Sequence, residues 1–140
     1  MKDFDDFLKR GVVKKQSVNE PRAKDLVSEA ERKLSSMNRV IKKIGIDDAN
    51  ANDIIENCCD IILSLIRSKM FLKGFSASGS GAHEAEVSFL KKLEFNEQQI
   101  EFINSLRYFR NGILYYGKRF DKEYAKKVVK FLKQVKVKLK

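Results

Sequence analysis

Tryptophan is missing from this sequence, histidine and proline occur once each, and cysteine only twice. One proline and seven glycines leave few of the breaks that a chain of many short strands needs, so long helices are the default reading. No apolar run approaches the ~20 residues of a membrane span. The two cysteines, Cys58 and Cys59, are adjacent, and on a helix they point about 100° apart. That arrangement is no disulfide framework; it reads as two small core residues of a reduced, cytoplasmic protein. The opening MKDFDDFLKR, with early acids and a broken apolar run, is unlike a signal peptide.

The same scarcity removes most catalytic chemistries. One histidine, His83, beside two adjacent cysteines does not make a zinc site, and His83-Glu84 lacks the second histidine of HExxH. The GSG within GFSASGSGA has no P-loop lysine, and Gly-x-Ser-x-Gly does not occur. A serine or cysteine triad would have to use His83. No metal and no cofactor are expected.

What is present is an ordinary globular balance, with 43% hydrophobic and 34% charged residues among 140, enough for one domain spanning 1–140 with a real core. The net charge of +10 is uneven. From Lys118 to the C-terminus there are ten basic and two acidic residues, leaving nineteen basic against seventeen acidic in the rest.

Periodicity predicts a short element around Phe4, Phe7 and Leu8 that ends at Gly11. A long helix follows, with Pro21 in its first turn, Asn19 or Ser17 as cap and Gly45 as stop. A second long helix runs from Asn50 or Asn52 to about Lys73. Its apolar residues, from Ile54 to Ile66, cover roughly 200° of its circumference, so it needs neighbours on two sides and reads as the central helix. Asp53, Glu56, Asp60, Ser64 and Arg67 fill its remaining, polar stripe. GFSASGSGA reads as a mobile linker, and a short helix with Val87, Phe89, Leu90 and Leu93 follows. Asn96 with Gln99 resembles a capping box for a helix of about Glu97 to Tyr116, and Asp121 caps the last helix. The expected fold class is all-α, an antiparallel up-and-down bundle of four long helices plus short ones.

Two features remain. In the last helix Lys122, Lys126, Lys130, Lys133 and Lys136 form a positive stripe opposite Phe131, able to track phosphates or simply to face solvent. In the helix before it, Arg110 falls among Ile103, Leu106, Ile113 and Leu114 on the apolar side. A buried unpaired guanidinium costs several kcal/mol, so it needs a partner or water. The acids of the central helix do not obviously help, being on its polar stripe. An open cleft or a subunit seam are the expected solutions, and snorkelling from the edge of the stripe is the plainer one.

Arg110-Asn111 late in a penultimate helix, an aromatic pair after it and a basic amphipathic last helix together resemble a HEPN domain. The FLKRGVVKK leader, two long helices, a Gly/Ser loop with a histidine and three further helices agree with that layout. The resemblance implies a helical, often homodimeric module that binds or cuts RNA, with a minimal nucleotidyltransferase as partner. The family's ribonuclease motif is Arg, a polar residue, a short spacer, then His. Arg110 and Asn111 match the first two positions, and histidine's place falls at Tyr115, or at neighbouring Tyr116 or Gly117 for longer spacers. Tyrosine, with an ordinary pKa of about 10, is a poor base near neutrality, although it can bind phosphate or stack on a base. The resemblance thus implies RNA or nucleotide phosphate bound around Arg110, Asn111 and Tyr115. Lys118, Arg119, Lys122, Lys126, Lys130, Lys133 and Lys136 would be nucleic-acid contacts, and His83 a substitute proton carrier. The alternatives are an active metal-independent endoribonuclease toxin and a helical adaptor with no nucleic-acid role.

Overall fold

In the computed structural model, residues 2–139 are described, apart from the side chains of Leu114 and Tyr115. The chain is mostly helical, 74% of it, with one small two-stranded sheet. In order, it forms α1 (Phe4–Lys9), β1 (Val13–Lys15), α2 (Glu20–Ile44), α3 (Ala51–Leu72), β2 (Phe75–Ala77), α4 (Ala82–Ser88), a 3-10 turn at Phe89–Leu93, α5 (Glu97–Tyr116) and α6 (Lys122–Leu139).

Local chemistry sets the boundaries. The Asn19 side chain accepts from the Arg22 amide at the start of α2, and Gly45 stops it with φ +84°, a left-handed value that glycine tolerates. Asn96 and Gln99 form the complete capping box of α5. The Tyr124 amide donates to the Asp121 carboxylate, at 2.9 Å, to open α6. Asn52 then fastens the α5–α6 loop to α3, its side chain donating to the Lys118 carbonyl and accepting from the Phe120 amide.

The core is organised around α3. Thirteen of its residues are buried, and it packs on α2, α4, α5 and α6. Each large apolar side chain so buried contributes about 1.5–3 kcal/mol before entropy is counted. Cys58 and Cys59 are both in this core, and burial pushes each thiol up to about 12, so neither forms a reactive thiolate near neutrality.

One expectation fails here. The stretch at 74–82, read as a mobile linker, contributes β2, which pairs antiparallel with β1 in the register Val13 to Ala77. Phe75 of this strand stands 5.1 Å from the Phe4 ring, and Phe4 stands 4.9 Å from Phe89, centroid to centroid. The Gly/Ser content encodes tight turns, with Gly74, Gly79 and Gly81 all at positive φ, and not disorder.

Candidate functional site

The α5 residues Ile103 and Leu106 are buried, and Arg110, one turn further on, continues the same line. At that point α3 presents Asp60 in place of an apolar side chain. Arg110 Nε lies 2.9 Å from Asp60 Oδ1, with both side chains about a quarter exposed. The separation is that of an ion pair, yet Nε is buried and lacks an acceptor at hydrogen-bonding angles, so the attraction is mainly coulombic. Asp60 Oδ2 also receives Lys33 Nζ of α2 at 3.4 Å. An acid of α3, which sequence spacing alone does not obviously bring to Arg110, is therefore its partner. At Asp60 the polar stripe of α3 faces a seam between α2 and α5.

The seam is closely balanced in charge. Glu56, a turn before Asp60, has its carboxyl raised above the ordinary range by partial burial and by Asp53, with Arg110 opposing the shift. Arg107 engages Asn104 on its own helix, at 3.1 Å. Arg110 thus needs neither an open cleft nor a second subunit to be satisfied electrostatically. Asn111 lies beside it, half-buried. Tyr115, the residue at the motif's histidine position, lies outside the described side chains.

His83 is placed on a different network. Its Nδ1 lies 2.8 Å from Glu86 Oε1 of α4, and the other Glu86 oxygen takes Arg67 Nε of α3. Glu86 is almost fully buried, which alone would raise its pKa, but hydrogen bonds from His83 and Arg67 outweigh that and hold it below the ordinary carboxylate range. His83 and Arg110 therefore have separate acidic partners, on α4 and α3 respectively.

Beyond Arg110 the end of α5 is aromatic and basic. Lys118 folds back over Gly112, its ammonium 5.7 Å from the Phe109 ring and 5.6 Å from Phe120. Phe120 stacks on Tyr124 of α6 at 5.2 Å. Tyr108 and Tyr116 are largely exposed, at 68% and 85%. Arg119, Lys122, Lys126, Lys130 and Lys133 are all exposed, and Lys126 pairs with Glu123 at 3.7 Å. Lys136 departs from this face. It is half-buried and lines a hollow between α2 and α6 together with Glu31 and Arg39. Sequence reasoning missed Asp60 and Lys33 as site residues; the narrowness of the arc left on α3 by 200° of apolar surface was the available signal.

Among the described residues no group of three metal-ligating side chains comes together, and no helix is long and apolar enough to cross a membrane. The chain matches no family model, no curated protein and no solved structure.

Proposed function

We propose that this protein is a HEPN-like module, an antiparallel up-and-down bundle acting as a cytoplasmic homodimer, that binds the phosphates of RNA rather than cutting the strand. The observation that carries the reading is the distribution of charge on α6. Lys122, Lys126, Lys130 and Lys133 are exposed along this helix, and Lys126 alone of them pairs with an acid. Such a face gains affinity by releasing counterions from a polynucleotide. Arg110 supplies one further contact. Held by Asp60 on its Nε side, its planar fork can offer the opposite edge to a phosphate. The exposed Tyr108 and Tyr116 on the same helix are the surface a partner subunit would cover. A minimal nucleotidyltransferase is the partner that the HEPN resemblance adds.

The separate partners of His83 and Arg110 favour binding over cleavage, because a proton carrier must reach the same phosphodiester as the cation. Labelled single-stranded RNA titrated at increasing salt tests the reading. The logarithm of affinity is expected to fall linearly with the logarithm of salt, and K126Q/K130Q/K133Q to reduce that slope by about 2. The RNA is expected to remain full-length without added metal. No binding at low salt overturns the proposal, and cleavage abolished by Arg110→Ala replaces it with the endoribonuclease reading.

A further inference from the structure

A groove of about 490 Å³ runs between the first turns of α5 and the middle of α6. Two rings form its floor, Phe102 and Phe131, with centroids 4.3 Å apart and planes tilted by 45°. Both are half-buried, so each keeps part of its surface in water. Lys127 and Lys130 stand on one wall, and Gln98 and Gln134 supply exposed amides. Asn96 and Gln99 close one end, occupied with each other in the capping box. No carboxylate lines the groove; Glu97, on the same turn, lines the neighbouring hollow with Lys2 and Asp3. The Lys127 ammonium lies over the Phe102 ring, 5.5 Å from its centroid.

The geometry points to this groove as a base-binding subsite for single-stranded RNA, an assignment that rests on the RNA-binding reading above and locates where on the protein a base is held. Three properties converge on that ligand. Aromatic faces stack any nucleobase, and free amides can pair with base edges. Lysines spaced three residues apart on one helix lie on one side of it and can meet neighbouring phosphates. A protein partner fits less well, because interface cores are depleted in lysine, and here two lysines frame the rings. As a base enters, the Lys127 ammonium leaves the ring face for the phosphate, exchanging a cation–π contact for a charge-assisted one.

The decisive experiment cross-links a 4-thiouridine-containing single-stranded RNA to the whole protein and maps the modified residues. Adducts at Phe102 or Phe131 are expected. In parallel, F102L/F131L keeps the apolar filling but loses the aromatic faces, and is expected to bind the RNA about tenfold more weakly with its salt slope unchanged. K127Q/K130Q is expected to lower the slope by about 1.4. If F102L/F131L does not fold, the adduct map and the lysine variant decide. RNA that binds with adducts only elsewhere, with F102L/F131L behaving as the parent and K127Q/K130Q lowering the slope only by the about 0.7 that Lys130 on the α6 face supplies, overturns the subsite and leaves the RNA-binding reading standing. Absence of any RNA binding overturns both. Uridine monophosphate is expected not to compete at equal nucleotide concentration, and competition by it would overturn the assignment to a strand. Adducts suppressed by an unrelated protein ligand captured on the same rings, with RNA affinity unaffected by F102L/F131L, would likewise overturn it in favour of a protein partner.

Discussion

Asp60 on α3 receives Arg110 of α5 at 2.9 Å and Lys33 of α2 at 3.4 Å, so one carboxylate joins three helices. Its loss would leave the buried Arg110 Nε without its nearest anion, Glu56 acting on it only as a weaker coulombic neighbour. Asp60→Asn is therefore expected to lower stability by about 1–2 kcal/mol, toward the small end for such pairs because both partners keep some exposure. Arg110→Met should cost less, since its straight chain can fill the same apolar line. Urea denaturation of both variants and the double variant measures the coupling. A strictly additive cycle would show that the pair contributes nothing.

Glu86 gives the fold an acid limb. Its folded pKa lies below the ordinary carboxylate value, so the stability it contributes is fully present above its unfolded pKa. That stability is lost as pH falls through the depressed folded value. Glu86→Gln is expected to cost about 2–4 kcal/mol at neutral pH, because Arg67 loses its anion, and much less at acidic pH. Glu56 has the opposite sign. Its raised pKa penalises the charged form in the fold, a penalty relieved as pH falls, so Glu56→Gln is expected to be tolerated at neutral pH. Melting temperatures of the three proteins across a pH series separate the two effects.

Gly74 is the glycine whose replacement should matter most. It has φ +81°, and a Cβ there would stand 2.7 Å from the backbone oxygen of Gln16. The Gln16 amide donates to the Gly74 carbonyl at 2.8 Å, so the strands cannot separate without losing that bond. Gly74→Ala is expected to cost about 2–4 kcal/mol, adding left-handed strain to the clash. Gly11→Ala shares the positive φ but meets nothing within 4 Å, and should cost about 1 kcal/mol. Equal melting temperatures for the two variants would refute the steric account.

The helices were legible because their signals are local. A 3.6-residue period, the Asn19 cap, the Asn96–Gln99 box and the Asp121 cap each act within a few residues, and each lies where sequence spacing places it. The ribbon was not legible, since Val13–Lys15 and Phe75–Ala77 are too short for an alternation of period two to be seen. Arg110 was legible as an anomaly, but its partner was not. A polar stripe on α3 reads as solvent-facing unless the positions of α2 and α5 around it are known, and those depend on packing far from Asp60 in sequence. The pairing of Phe102 with Phe131 was hidden for the same reason, as the two rings meet only across two helices.

The two short strands have a topological consequence. Pairing Val13 with Ala77 encloses the whole of α2 and α3 within one closed loop of chain. Closing so long a loop from an unfolded chain is entropically costly, whereas two helices already docked bring its ends together at little further cost. The leader is then a buckle fastened after the hairpin it surrounds, with Phe4 and Phe7 as its tongue, and cutting it away would open the aromatic end of the molecule rather than trim a tail.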